Sequence, residues 1–136
     1  MSVHSHTVGT PYCNAVAVRP GDVLAFSNRG PAGWVINLTT WGVPTWGYSH
    51  LALVGLHPIT GRIVLWESIM TYDMPCLLQE KLVKGMQVQD IDERIERYNG
   101  RIWHYALRKP LSSAERTKLT EYGQRYLGTN YDYVGA

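Results

Sequence analysis

Two residues of this sequence have types and positions suited to acid–base chemistry, His50 and Glu67. His50 opens an apolar run, His50–Leu56, and Glu67 lies within a second one, Arg62–Ser68. A neutral imidazole in such a run must find a hydrogen-bond partner or stay at the solvent edge. A carboxylate beside it could hold one tautomer and stabilise the protonated ring, as the base and orienting residue of a catalytic triad do. The alternatives are a structural edge histidine and a solvent-facing glutamate.

The two apolar runs are predicted to form a β-hairpin, because the loop His57–Gly61 is rich in turn-forming residues. If the turn is centred within this loop, the numbers of opposite residues add up to about 119, which places Glu67 opposite Ala52. Side chains alternate along a strand, so His50 and Ala52 share a face and Glu67 lies diagonally from His50. A shift of one residue would move Glu67 to the other face.

A triad also needs a nucleophile, and the two cysteines of the chain, Cys13 and Cys76, are weak candidates. Neither begins an obvious helix whose amino-terminal dipole would activate a thiol. They lack the paired spacing of a zinc site and cannot form a disulfide framework. We expect two free and inert thiols in a reducing compartment, with catalysis by one of them the less favoured interpretation.

The remaining patterns predict an α+β domain in which an antiparallel sheet packs with helices. Beyond the hairpin, strands are predicted at Val23–Phe26, Met86–Val88 and Ile102–Leu107. A short helix is predicted after Pro31, with Trp34, Ile36, Leu38 and Trp41 on one face, and another at Ile91–Tyr98, closed by Asn99 and Gly100.

The last predicted helix runs from about Ser113 to Leu127. Ser112 and Glu115 match the capping box that satisfies the first backbone N–H groups of a helix. Gly128 is expected to end the helix, and three larger side chains fall at helical spacing on one face: Leu119, Tyr122 and Tyr126.

Composition excludes several classes of function. Thirteen Lys and Arg against eleven Asp and Glu give a net charge of +2 without clusters, which argues against nucleic acid as a partner. The longest apolar stretches fall far short of the roughly 20 residues that span a membrane. Met1–His6 has no feature of a signal peptide, so a cytoplasmic or particle-associated protein is expected. The five Trp and nine Tyr fit a ligand groove or an ordinary core equally well.

No cofactor and no metal site is predicted. His4 and His6 lie in a polar amino-terminal segment, and His57 and His104 have no carboxylate or cysteine at ligand spacing.

The order of four motifs resembles the circularly permuted branch of the NlpC/P60 superfamily, the permuted papain-like amidases. The motifs are a Gly-Asp strand at Pro20–Phe26, a Ser-His strand opening at Tyr48–Val54, an acidic strand at Val64–Ser68 and a Gly-x-x-Tyr-Asp segment at Gly128–Tyr133. The resemblance covers the chain from about Arg19 to its end.

This resemblance implies a circularly permuted papain-like fold for residues 19–136, preceded by an amino-terminal extension over residues 1–18. It makes His50 the general base and Glu67 the residue that orients it. The implied activity is a cysteine amidase or peptidase that cleaves an amide bond, with cell-wall peptide as the favoured substrate class and lipid esters as a lesser option. Candidate substrate-binding residues are Trp46, Tyr48 and Tyr131, and Trp34 and Trp41 would line the same groove.

In that family the nucleophilic cysteine follows the Tyr-Asp segment, whereas this chain ends at Ala136 without one. Cys13 lies eight positions before Gly21, which leaves little room for a helix and its return. We therefore expect residues 19–136 to be incomplete at the carboxyl end. The nucleophile would come from a carboxy-terminal segment or a second chain, or be absent. The alternative is a non-catalytic binding or structural module, for example a part of a phage particle or another large assembly.

Overall fold

The computed structural model describes residues 18–28, 49–70 and 74–130, and within these ranges the strands form one antiparallel sheet. The elements are β1 (Val23–Asn28), β2 (His50–Leu56), β3 (Ile63–Ile69), β4 (Gly85–Asp90), α1 (Ile91–Glu96), β5 (Gly100–Tyr105) and α2 (Ser113–Tyr126). The five strands lie in the order β4-β3-β2-β1-β5. The predicted α+β class with an antiparallel sheet is confirmed. The helix predicted after Pro31 lies outside the described residues.

The register of the β2–β3 hairpin agrees with the prediction. Leu53 pairs with Trp66 and Val54 with Leu65, so the numbers of opposite residues add up to 119. On the outer sides of the hairpin, Phe26 of β1 lies opposite His50, and β4 runs alongside β3 with Gln87 opposite Glu67. Loop length set this register, because a two-stranded hairpin has little freedom once its turn is placed.

The sheet has two buried faces. On the face covered by α1, which we call the α1 face, the core consists of Leu24, Phe26, Ala52, Val54, Leu65, Ile91, Ile95 and Ile102. On the opposite face, which we call the α2 face, the core consists of Val64, Trp66, Cys76 and Val88. Since side chains alternate along a strand, His50 and Glu67 belong to the α1 face.

The boundaries of α1 and β5 differ from the prediction. The helix ends at Glu96 instead of Tyr98. Gly100, expected to close the helix, is the first residue of β5, and a Cβ there would lie 2.6 Å from the backbone oxygen of Ser27. Close approach of two backbones, a tertiary contact, therefore explains this glycine.

The capping box of α2 forms as predicted. The Ser112 backbone N–H donates to Glu115 Oε2 at 2.6 Å, and the Glu115 N–H donates to Ser112 Oγ at 3.2 Å. Gly128, with φ of +88°, follows the helix in the left-handed conformation that glycine favours. No helix in the described part of the chain is long and apolar enough to cross a membrane.

The contact between α2 and the sheet is made by a glycine and a tryptophan. Gly123 is the buried residue of the helix, whereas the rings of Tyr122 and Tyr126 stay exposed and lie 4.7 Å apart between centroids. The Trp66 ring fills the space beside Gly123. The two tryptophans within the described ranges, Trp66 and Trp103, are both buried, so they belong to the core and not to a groove.

Replacement of Gly123 by alanine is expected to lower the free energy of unfolding by about 1–3 kcal/mol through overpacking. The added Cβ would lie 2.7 Å from the Trp66 ring, so α2 would have to move away from the sheet. Urea denaturation of the variant and the wild type measures the change.

The sign of this change is the decisive observation. In an open helical position, alanine in place of glycine stabilises a helix by about 1 kcal/mol. A Gly123→Ala variant more stable than the wild type would therefore contradict the close packing of α2. Gln124→Ala, at the neighbouring exposed position, is the control and is expected to stay within about 0.5 kcal/mol of the wild type.

Candidate functional site

His50 and Glu67 meet on the α1 face of the sheet. His50 Nε2 lies 2.6 Å from Glu67 Oε2. The Glu67 side chain is fully buried, while 20% of the His50 side chain is exposed. The alternative of a solvent-facing Glu67 is wrong. The predicted diagonal contact between the two strands exists. Solvent can reach the imidazole of His50 but not the carboxylate of Glu67.

The second oxygen of the carboxylate is occupied by Arg94, a residue that sequence reasoning missed. Arg94 Nε donates to Glu67 Oε1 at 2.8 Å. In α1, Arg94 is buried together with Ile91 and Ile95, at the spacing of one helical face. A charged residue on the apolar face of a short helix was the available signal, since such a charge is rarely buried without a partner.

The guanidinium of Arg94 is also held by aromatic rings. Its central carbon lies 5.0 Å from the centroid of the Phe26 ring and 5.5 Å from that of Tyr98, within the range of cation–π attraction. The Phe26 ring contacts the imidazole of His50 as well, at 5.5 Å between centroids. Phe26 thus packs against both partners of Glu67.

Electrostatics keep the Glu67 carboxyl ionised. Burial by itself raises its pKa, but the hydrogen bond with His50 and the positive charge of Arg94 outweigh burial, and the resulting pKa lies below the ordinary value. The hydroxyl of nearby Tyr98 shows the opposite result. Burial raises its pKa, against smaller lowering effects of a hydrogen bond with Ser49 and of the Arg94 charge.

The hydrogen bond also assigns the tautomer of His50. An ionised carboxylate can only accept, so Nε2 of the imidazole carries the proton and donates it to Glu67. In the neutral ring Nδ1 is then the unprotonated nitrogen, and its lone pair can accept a proton. The arrangement can therefore take up a proton at Nδ1 while the negative charge of Glu67 stabilises the resulting imidazolium.

Acidification is expected to remove the stabilisation that Glu67 provides. Its pKa is lower in the folded state than in the unfolded chain, so the unfolded chain binds more protons in this range and stability rises with pH. The contribution is complete above the ordinary value of 4.5 and is lost as the pH falls through the lower folded value. Urea denaturation of the wild type and of Glu67→Gln should show a difference in the free energy of unfolding that becomes smaller as the pH falls below 4.5. A difference in the free energy of unfolding that does not depend on pH would contradict a lowered pKa of Glu67 in the folded state.

Neither cysteine is placed beside His50 by the described residues. The Cys76 side chain is fully buried in the core of the α2 face, where it packs with Val64, Trp66 and Val88. The Val88 backbone N–H approaches its Sγ at 3.4 Å. Because the sheet separates this thiol from His50, Cys76 is a buried core residue. Cys13 lies outside the described residues.

A second imidazole–carboxylate pair lies at the other end of β1. His104 Nε2 is 2.7 Å from Asp22 Oδ2, and both side chains are buried. Asp22 also accepts the backbone N–H groups of Arg19 and Leu107, each at 2.9 Å. The sequence has no carboxylate at metal-ligand spacing around His104, and the carboxylate that His104 contacts in the fold, Asp22, lies 82 positions away. The pair ties the start of β1 to the end of β5.

The structure leaves the other predicted site residues undecided. The candidate substrate-binding residues Trp46, Tyr48 and Tyr131 lie outside the described ranges, as do His4 and His6. Within those ranges, no group of three or more His, Cys, Asp or Glu side chains is arranged to hold a metal ion.

Comparisons of the chain with protein-family models, with curated proteins and with solved structures gave no match in any of the three. The chemistry of the site therefore rests on its own geometry.

Proposed function

We propose that this chain carries the base and the orienting residue of a cysteine hydrolase of the permuted papain-like, NlpC/P60 type, which cleaves an amide bond. The observation that carries the proposal is the contact between His50, partly exposed, and Glu67, fully buried, at 2.6 Å. A base that is accessible and an orienting group that is shielded from water are what nucleophilic catalysis requires of these two residues.

In the proposed reaction, His50 Nδ1 takes the proton of a cysteine thiol as the thiolate attacks the carbonyl carbon of the amide. The amine leaves with the proton returned from the imidazolium, and a thioester remains. Water, deprotonated in turn by Nδ1, hydrolyses the thioester and regenerates the thiol. Throughout, Glu67 accepts from Nε2 and keeps the ring in the tautomer whose Nδ1 can act.

The proposed nucleophile is a cysteine outside residues 1–136, supplied by a carboxy-terminal segment or a second chain. The course of the described chain supports the first source. The Met86 backbone N–H donates to Thr129 O at 3.0 Å, next to Gly85, the first residue of β4. In the antiparallel sheet this end of β4 is the end at which β2 begins with His50. The chain thus reaches residue 130 at the end of the sheet that carries the base.

The substrate class rests on the motif order from Pro20 to Tyr133, which resembles amidases that act on cell-wall peptides. The test is hydrolysis of a peptidoglycan stem peptide by the protein together with the carboxy-terminal segment or second chain that is proposed to supply the cysteine, followed by detection of the released amine. Replacement of His50 by alanine is expected to lower kcat at least about a thousandfold, because removing the base of a triad leaves only binding and oxyanion stabilisation.

His57→Ala is the matched control for this assay. His57 lies at the other end of the same hairpin, where its Nδ1 accepts the backbone N–H groups of Ile59 and Thr60. Full activity of His57→Ala with loss of activity in His50→Ala supports the proposal. An active His50→Ala variant refutes it.

Alkylation by iodoacetamide tests the source of the nucleophile. In the 136-residue chain, Cys76 is expected to resist labelling while the protein is folded, because its side chain is buried. Rapid labelling of Cys13 that disappears in His50→Ala would place the nucleophile at Cys13, inside the chain, and overturn the proposed source.

A second candidate function is a binding or structural module that keeps the fold without the reaction. The position of Cys76 on the α2 face favours it, since the described residues contain no thiol near His50. Absence of both turnover and a downstream cysteine would support this function over the first.

A further inference from the structure

We propose that Arg94 is a positioning residue, which aims the Glu67 carboxylate at His50 and offsets its charge so that the imidazole stays available as a base. The proposal deepens the function proposed above and rests on it. Arg94 does not touch the reacting atoms in this proposal. It acts through Glu67.

The first step is geometric. The two oxygens of the Glu67 carboxylate have different partners from different elements, Oε1 with Arg94 Nε of α1 and Oε2 with His50 Nε2 of β2. A carboxylate with one partner can rotate about its terminal bond, whereas one held at both oxygens is restricted in the plane of the two bonds. The orientation of Oε2 toward the imidazole therefore depends on the bond that Arg94 makes to Oε1.

The second step is that Arg94 is itself held in place. Ile91 and Ile95 anchor its helix in the core of the α1 face, and Asp90 caps the helix by accepting the Glu93 backbone N–H at 3.0 Å. The guanidinium rests on the rings of Phe26 and Tyr98. These contacts restrict the position of the Arg94 side chain, so it can hold the Glu67 carboxylate in one orientation.

The third step concerns charge. With His50 neutral, the three side chains of His50, Glu67 and Arg94 have a net charge of zero, and with His50 protonated they have a net charge of +1. Without Arg94 the carboxylate would face the imidazole alone, and the protonated ring would be favoured by the full attraction of an unbalanced charge. A base must be unprotonated when the thiol arrives, so the positive charge of Arg94 keeps Nδ1 in its active form.

Few charged or titratable groups surround His50 in the described part of the chain. From β3 it faces Glu67. From α1 and the residues just after it, Arg94 and Tyr98 lie against Phe26, which contacts the imidazole from β1. Among the residues that the structure describes, Glu67 and Arg94 are thus the two charges whose removal should change the proton affinity of His50, and in opposite directions.

The test is an NMR titration of the His50 imidazole in the folded 136-residue chain. In Arg94→Gln the pH at which His50 becomes half protonated is expected to rise by about one unit relative to the wild type, the size of effect that one nearby buried charge produces. Arg94→Lys restores the charge and should return the midpoint to within about 0.3 units of the wild type.

Arg62→Gln is the matched control, because it removes the same charge from an exposed pair with Asp90 at 3.2 Å. Its titration should coincide with that of the wild type. An unchanged midpoint in folded Arg94→Gln overturns the proposal. So does an equal shift in Arg94→Lys, since the effect would then come from packing and not from charge.

A second comparison applies if Arg94→Gln does not fold. The double variant Glu67→Gln with Arg94→Gln contains no unpaired buried charge and is compared with Glu67→Gln alone. The single variant retains the positive charge of Arg94, which repels the imidazolium, so its midpoint should lie below that of the double variant by about one unit. Equal midpoints overturn the proposal.

These titrations need no nucleophile and no substrate. A negative titration therefore removes the role of Arg94 while the hydrolase assay with His50→Ala still stands. An active His50→Ala enzyme removes the proposed function whatever the titration shows.

Discussion

Replacement of Glu67 by alanine is expected to lower the free energy of unfolding by about 3–5 kcal/mol, because it leaves the buried guanidinium of Arg94 without its counter-charge. Arg94 donates to Glu67 at 2.8 Å, and only 11% of its side chain is exposed. His50 loses its hydrogen-bond partner in the same variant. Urea denaturation at neutral pH measures the loss.

Glu93→Ala is the control for this prediction. Glu93 belongs to the same short helix as Arg94 and pairs with Arg97 at 2.8 Å, but both side chains are largely exposed. An exposed pair at this helical spacing contributes about 0.3–0.5 kcal/mol, so the control should change little. If Glu67→Ala cost no more than Glu93→Ala, the buried charge network would not exist in solution.

Replacement of Asp22 by alanine is expected to be comparably destabilising, by about 3–5 kcal/mol, although Asp22 lies far from the candidate site in this sheet. Its carboxylate accepts from His104 Nε2 and from the backbone N–H groups of Arg19 and Leu107. Alanine removes the two oxygens that accept from these three donors where β1 and β5 meet. Amide hydrogen exchange at Leu107 reports the local loss, and urea denaturation the global one.

Asp22→Asn separates charge from shape in this network. Asparagine keeps one acceptor oxygen, so it should retain part of the hydrogen bonding and lose less stability than alanine. Equal stability of Asp22→Ala and the wild type would contradict the network, because the side chains of Asp22 and His104 are buried away from bulk water.

Comparison of Asp22→Ala with Glu67→Gln distinguishes the candidate site from residues that only stabilise the sheet. Asp22→Ala removes a carboxylate that holds strands together but leaves His50 and Glu67 in place. If the variant remains folded, its activity in the assay of the proposed hydrolase should stay near that of the wild type, whereas folded Glu67→Gln should lose most of that activity. The imidazole–carboxylate pair proposed to do chemistry is the one whose imidazole is partly exposed.

Local patterns of the sequence were sufficient for the elements that depend on neighbouring residues. The hairpin was predictable because turn residues separate two apolar runs, and the short loop leaves one register in which apolar side chains meet. The start of α2 was predictable because Ser112 and Glu115 satisfy each other's backbone N–H groups within one helical turn. The hairpin register by itself placed Glu67 beside His50 without any knowledge of the rest of the fold.

Contacts between distant parts of the chain were not predictable in the same way. Arg94 is 27 positions from Glu67, and Asp22 is 82 from His104. Nothing in the local sequence of α1 says which carboxylate its arginine will meet. The apolar positions of Ile91 and Ile95 say only that Arg94 shares their buried face.

The packing of α2 against the sheet was also not predictable from the local sequence. Spacing places Leu119, Tyr122 and Tyr126 on one helical face, yet the helix approaches the sheet through Gly123, and the two tyrosines remain exposed. A glycine can be the contact point because it lets the helix come close to the broad ring of Trp66. That choice depends on the shape of the opposing surface, which the periodicity of the helix does not contain.

The sequence by itself thus determined the α+β class, the hairpin register, the helix cap and the meeting of His50 with Glu67, because each depends on hydrogen bonds and side-chain alternation over short stretches of chain. Only the tertiary structure decided that Glu67 is buried, that Arg94 forms an ion pair with it and that Cys76 lies on the opposite face of the sheet from His50. Burial and charge balance depend on which elements pack together. Burial and charge balance are therefore properties of the whole fold. They are the reason that a histidine and a glutamate on adjacent strands form a candidate catalytic pair.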